Sequence, residues 1–149
     1  MREIYLMNKE LEYKLFVIFF SALALNFIWE EAHSALYAHY RGAEITHFVL
    51  LRAALVDALV ITGLLFPFFK VNFLKKRIWI FPVGAVAIAI GLEKWALSTG
   101  RWAYTDAMPV IPILDSGLTP TIQLAFLGYV SYLVGMHYGL RRSKTTYDK

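Results

Sequence analysis

Four apolar stretches dominate this chain, and each carries a strongly polar side chain where hydrocarbon would surround it if the stretch crossed a bilayer. These side chains are Glu30 with Glu31, Arg52 with Asp57, Glu93 with Lys94, and Gln123. Charge inside a bilayer is costly and normally turns toward a protein interior or a watery cavity. Four helices that carry such residues at similar depth point to one shared polar site.

The stretches have the length that a membrane demands. A hydrocarbon core about 30 Å thick needs roughly 20 residues of helix. Phe48–Phe69, Ile78–Leu97 and Thr121–Leu140 meet that need, and the first stretch starts at Leu15 and carries Glu30, Glu31 and His33 toward its end. A soluble four-helix bundle would require a polar outer face on each helix, and Phe48–Phe69 offers almost none. With 58% apolar residues and a mean hydropathy of +0.52, the chain reads as a single all-α membrane domain over residues 1–149. Four transmembrane helices are expected near 15–38, 48–69, 78–97 and 121–140, with an ordered outer loop between the third and fourth. The absence of cysteine excludes disulfides and thiolate chemistry. The basic residues flank apolar stretches, as membrane anchors do, and no nucleic-acid motif is present, so no nucleic-acid partner is expected. Ile4, Met7, Leu11 and Leu15 recur at helical spacing, and no small-residue cleavage site follows the first apolar run. The N-terminal segment is therefore expected to lie at the interface or to extend the first span.

Lysine and arginine set the expected orientation. Arg2, Lys9 and Lys14 precede the first span; Lys70, Lys75, Lys76 and Arg77 lie between the second and third; Arg141, Arg142, Lys144 and Lys149 follow the fourth. The other two connections hold only Arg41 and Arg101. By the positive-inside rule both termini are expected in the cytoplasm. At 1.5 Å of rise per residue, Arg52 then lies roughly 6 Å below the outer end of its span and Asp57 roughly 14 Å below it. Glu93 falls at about the depth of Arg52, and Glu30 and Gln123 lie near the outer ends of their own spans. Asn26, Glu30, His33 and Tyr37 step by four, three and four and share one helix face. Glu31 is turned about 100° from Glu30 and is expected to face a neighbouring helix or the interface. Ser131, Gly135 and Gly139, and Ala87 with Gly91, form small-residue stripes that permit close helix packing or a homo-oligomer.

The loop Ser98–Pro120 is apolar enough to fold as a lid. Pro109 and Pro112 oppose a helix there, and Met108, Val110, Ile111, Ile113 and Leu114 are expected to find cover. Asp115-Ser-Gly117 reads as a turn. Thr119 is expected to N-cap the fourth span, with Pro120 at its first position.

These residue types fit acid–base chemistry on an apolar substrate. A carboxyl in a low-dielectric pocket can act as a general acid toward an alkene or a carbonyl. Glu30 and Glu93 are the acid–base candidates, with Asp57 as a deeper carboxyl. Arg52 and Arg101 could hold an anionic headgroup. Trp29, Trp95, Trp102 and Tyr104 could stack on an isoprenoid or stabilise a carbocation, and Gln123 and His33 complete the substrate-binding set. The expected partner is a membrane lipid or isoprenoid, and no cofactor is expected. Three competing readings use the same residues, the first being noncatalytic binding of a lipid or small molecule. The acids could relay protons in a small transporter, or they could form a purely structural network in which Arg52 pairs Glu30 or Glu93 and Gln123 satisfies a loop carbonyl. Glu30-x-x-His33 is half of a carboxylate-bridged di-metal motif, but the second half is missing, so no metal is expected.

The run Gly100-Arg-Trp-Ala-Tyr104, followed by Met108-Pro109, Pro112 and Gly117-Leu-Thr-Pro-x-x-Gln123, resembles a family of small bacterial four-helix membrane proteins without an assigned activity. In that family a Trp-Glu pair on the first span is matched by Trp29-Glu30. An acid on the second is matched by Asp57, and a Glu on the third by Glu93. Trp102-Ala-Tyr104 is also similar to the Trp-x-Tyr of the membrane-embedded lycopene (carotenoid) cyclase domain, whose next helix opens on Pro-x-Glu. Here Pro120-Thr-Ile122 lacks that Glu and Gln123 stands nearby. The similarity implies isomerase- or cyclase-like chemistry on an isoprenoid.

Overall fold

The computed structural model describes residues 2–147, with side chains described over residues 8–139. Lys149 lies outside the described residues, as do the side chains of Arg2, Ile4, Met7, Arg141, Arg142 and Lys144. Among the described residues, four helices are long and apolar enough to cross a membrane, over Asn8–Leu36, His47–Lys70, Ile80–Ser98 and Leu118–Gly139. The protein is an all-α membrane-spanning chain with an ordered cap.

Helix α1 runs over Arg2–His33, so the amphipathic N-terminal segment extends the first span. It ends five residues before the expected boundary. A 3-10 turn at Ser34–Leu36 follows, and Tyr37 adopts extended backbone, with φ −107° and ψ 136°. Strand β1, Tyr37–Tyr40, then pairs antiparallel with β2, Trp102–Tyr104. Helices α2 (His47–Lys70), α3 (Asn72–Lys75), α4 (Ile80–Ser98) and α5 (Leu118–Tyr147) complete the helical part. A second small hairpin pairs β3, Val110–Ile111, with β4, Ser116–Gly117. The turns between helices thus hold sheet, because extended Tyr37–Tyr40 and Trp102–Tyr104 satisfy each other's backbone groups over the end of the bundle.

Local chemistry sets these junctions. Thr46 caps α2 by accepting from the Val49 N–H. Arg41 and Gly42, both at positive φ (51° and 75°), make the tight turn after β1, with Tyr40 and Ala43 exchanging backbone hydrogen bonds. That backbone pattern is the type I′ turn, which matches strand twist. Gly100, at φ 64°, ends α4. Gly100 N–H bonds to Leu97 C=O and Arg101 N–H to Ala96 C=O, which is the Schellman arrangement with glycine at its left-handed position. The reversal sends Arg101-Trp-Ala-Tyr104 back across the end of the bundle.

α1 packs mainly between α2 and α5, and α4 packs mainly on α5. α2 and α4 touch only lightly, so the ring of helices has one loose seam. An apolar core of Ile18, Ala22, Ile61, Leu65, Phe81, Ala85 and Leu124 runs through the bundle. Asn26, Glu30, Glu93, Gln123 and Ser131 are buried, whereas Phe16, Ile28, Leu59, Val83, Phe126 and Leu133 are exposed. Polar groups inside and large apolar groups outside reverse the soluble pattern and suit a lipid surround.

Two packing expectations separate here. Gly135 and Gly139 do face α1: a Cβ on Gly135 would lie 2.5 Å from Ile18 Cγ1 and 3.2 Å from the Lys14 carbonyl oxygen. The Ala87–Gly91 stripe does not take part, since a Cβ on Gly91 meets nothing within 4 Å. Within the cap, Met108 is buried and Ile111 and Leu114 are half-buried, but Val110 is exposed and Ile113 is 93% exposed. The lid covers less of its apolar run than expected, because the β3–β4 turn over residues 112–115 projects away from the helices. Ser116 and Gly117 belong to β4, not to that turn. α5 starts at Leu118, so Thr119 is not its N-cap, and its hydroxyl reaches Met108 Sδ at 3.6 Å instead.

Candidate functional site

The inward face of α1 presents Asn26, Glu30 and His33, all buried. Asn26 Nδ2 donates to the Ala22 carbonyl (2.8 Å), which turns Asn26 Oδ1 toward α5. There Gln123, just over one turn into α5, places Nε2 at 3.0 Å from Asn26 Oδ1, 2.7 Å from Glu30 Oε1 and 3.0 Å from Asp57 Oδ2. One amide nitrogen therefore gathers side chains from α1 and α2. Its two hydrogens serve three acceptors, two of which are carboxyl oxygens.

Glu93 is held differently. Tyr37 and Tyr104 are cross-strand partners, and their hydroxyls both donate to Glu93 Oε1, at 3.1 and 2.6 Å. The Gly117 N–H donates to the Tyr104 oxygen at 2.7 Å. A chain of hydrogen bonds thus runs from the cap backbone through a phenol to a carboxyl on α4. Burial, and the Glu93 carboxylate beside it, hold the Tyr37 phenol far above its ordinary range. Burial and the bond to Glu93 also raise Tyr104, with Gly117 N–H partly opposing them. Both phenols stay protonated donors.

These groups line or back one cavity of about 220 Å³. Glu30, Asp57, Glu93 and Gln123 supply its polar wall, and Ala89, Ala53 and Leu124 are among its apolar residues. Tyr37, Tyr40 and Trp102 contribute from the strands. The lining side chains that stay exposed are Arg52, Val56, Leu92 and Trp95, all on α2 or α4. The mouth therefore sits at the loose α2–α4 seam.

The arginines stand at that mouth without acidic partners among the described residues. Arg52 lines the cavity, and its side chain makes no ion pair or hydrogen bond with a described residue. The expected pairing of Arg52 with Glu30 or Glu93 does not form, because phenol and amide donors already serve those carboxyls. Arg101 stacks on the Trp95 ring, 4.2 Å from its centre. Gln123 bonds to acids instead of the expected loop carbonyl.

Other expected site residues fall outside the cavity. Trp29 turns toward α5 and packs on Phe126, and its buried indole Nε1 has no hydrogen-bond partner among the described residues. His33 lies behind the site and bonds through Nδ1 to the Trp29 carbonyl oxygen. Tyr104 acts through Glu93 and does not line the cavity. Glu31 meets His47 Nδ1 at 2.7 Å on α2, so it faces a neighbouring helix. Lys94 is exposed and away from the site. Among the described residues no group of three His, Asp or Glu side chains is placed to hold a metal ion. Asn26, Tyr37 and Tyr40 were not site candidates from sequence. For Asn26 and Tyr37 the available signal was their spacing with Glu30 and His33. Tyr37 reaches Glu93 from a strand, not from the helix face that this spacing implied.

Several of the residues behind the family resemblance are linked in space. Gly100 turns the chain, Arg101 and Trp102 reach the cavity, Tyr104 holds Gly117, and Gln123 closes on Glu30 and Asp57. Gly117 packs so tightly that a Cβ there would lie 2.9 Å from Met108 Sδ. No protein-family model matches the sequence, and neither a curated protein nor a solved structure does.

Proposed function

We propose that this protein is an intramembrane acid–base enzyme acting on an anionic lipid or isoprenoid, with isomerase- or cyclase-like chemistry as the nearest class. The observation that carries this reading is the meeting of Glu30 and Asp57 on the single Gln123 amide nitrogen, beside a cavity that Glu93 also lines. Two carboxyls so close can hold one proton between them, and such a pair can give a proton to an apolar substrate and take one back. Glu93, fixed by two phenols, is the second acid–base group.

The mouth supports a membrane-borne substrate. Its exposed side chains belong to two lipid-facing helices, so an acyl or prenyl chain can enter sideways without leaving the bilayer. Arg52 and Arg101 then meet the substrate's anionic group, a phosphate or carboxylate, near the outer surface. A guanidinium this deep without an anionic partner is costly, and a bound headgroup removes that cost. Trp95 and Trp102 offer aromatic faces to the chain or to a developing cation. The lysine and arginine distribution supports cytoplasmic termini, and the family resemblance supports a bacterial inner membrane.

The test is lipid mass spectrometry on protein purified in mild detergent. A specific anionic amphiphile should copurify with wild type, be lost in Arg52→Gln, and accumulate in unreacted form in Glu30→Gln and Glu93→Gln, whose folded yields stay near wild type. Loss of folded protein in both acid variants, with no enriched lipid in wild type, would show that the network is structural.

A further inference from the structure

A second cavity, of about 460 Å³, lies at the opposite end of the bundle, and its lining charges reverse those of the first. Lys14 on α1, Lys70 at the end of α2 and Lys75 on α3 converge on it, against a single acid, Glu10. Its apolar wall includes Phe68, Phe69 and Tyr132, of which Phe69 and Tyr132 pack ring to ring at 6.1 Å. This basic cavity is unused by the acid site.

Lys14 is seated there by the fold. Its side chain is only 14% exposed, and its ammonium bonds to Glu10 Oε1 at 2.6 Å. The stem lies in the space that Gly139 leaves open, since a Cβ on that glycine would come within 2.4 Å of Lys14 Cε. The last member of the small-residue stripe therefore accommodates a lysine stem, whereas Gly135 lets α1 approach α5. An ammonium carries three donors, so Glu10 leaves two of them for another acceptor. The side chains of Lys70 and Lys75 make no ion pair or hydrogen bond with a described residue.

We infer that this cavity binds the phosphate of an anionic bilayer lipid, separately from the outer site. Three ammonium groups from three elements suit a phosphate, which accepts from several directions at once. The aromatic wall and the position at the span ends favour a lipid over soluble phosphate. Lys70 is the last residue of α2, and the neighbouring Phe66 and Phe73 are exposed, so a headgroup in the cavity leaves its chains along an apolar surface. The bound lipid ties α1 to the α2–α3 corner.

Native mass spectrometry in detergent tests this with dioleoylphosphatidylglycerol, dioleoylphosphatidylcholine and inorganic phosphate. Wild type should retain the phosphatidylglycerol adduct and release phosphatidylcholine. Lys70→Gln with Lys75→Gln should weaken the adduct about 30-fold, since each lysine near an anionic lipid contributes a similar increment. Lys70→Arg with Lys75→Arg should keep it, and Lys94→Gln at the far end should change nothing. Equal retention of both lipids overturns the inference. So does equal loss in the arginine pair or in Lys94→Gln. If inorganic phosphate displaces phosphatidylglycerol with the same lysine dependence, the site takes soluble anions and the lipid assignment fails.

Discussion

One phenol oxygen, that of Tyr104, joins the cap to the membrane-embedded acid. It donates to Glu93 and accepts from Gly117 N–H, so Tyr104→Phe deletes a bond to a carboxyl oxygen and strands a backbone donor. Such a loss costs about 2 kcal/mol, readable as a lower melting temperature in detergent. Tyr37→Phe removes only the longer bond and should cost about 1 kcal/mol. The two raised phenols also predict a pH effect. In the unfolded chain a phenol releases its proton near its ordinary pKa of 10.0, whereas in the fold these two keep theirs. Their stabilisation is complete below that value and declines as the pH rises above it. Thermal melts from roughly pH 8 to 11 should show this alkaline loss in wild type, and a shallower one in Tyr37→Phe with Tyr104→Phe. An equal slope in both proteins would mean that these phenols titrate normally.

Helix faces divide the glycines into two kinds. Gly135 lies where α1 and α5 meet, and a Cβ there collides with Ile18 and presses on the Lys14 carbonyl. Gly135→Ala should therefore destabilise the protein by about 1–3 kcal/mol, as overpacking does. Gly91 faces open space, and Gly91→Ala should be neutral or stabilising by up to about 1 kcal/mol, because alanine restricts the unfolded chain. Comparing their melting temperatures separates a packing glycine from a merely frequent one. Both stripes read alike as sequence, since spacing gives a face but not the neighbour it meets. The elements of the cap were hidden for a related reason. Tyr37–Tyr40 and Trp102–Tyr104 are too short to show a strand period, and their pairing spans more than sixty residues of chain.

For the whole molecule, charge distribution predicts topology. The chain has no cysteine, so single cysteines at exposed positions report sidedness cleanly. In intact bacterial cells a membrane-impermeant maleimide should label Arg41→Cys and should label Lys76→Cys only after the membrane is opened. The opposite pattern would invert the proposed orientation. The lateral mouth gives a second whole-molecule test. Val56→Trp narrows the α2–α4 seam and should reduce copurified lipid several-fold while leaving the stability within about 0.5 kcal/mol of wild type, as expected for an exposed position.

Sequence alone determined the four spans, because twenty apolar residues in a row have few other solutions and a lipid-facing helix needs no polar side. It also determined how far apart the polar residues of one span lie along its axis, since helical rise is constant. It did not determine rotation or partners. Arg52 shares its layer with Glu30 and Glu93 yet pairs with neither, and Trp29 adjoins Glu30 in sequence yet faces α5. Only the tertiary structure decided that Gln123 is the point where Asn26, Glu30 and Asp57 meet and that two strand tyrosines hold Glu93. Axial spacing follows from counting along one helix, whereas contact depends on how several helices turn against one another.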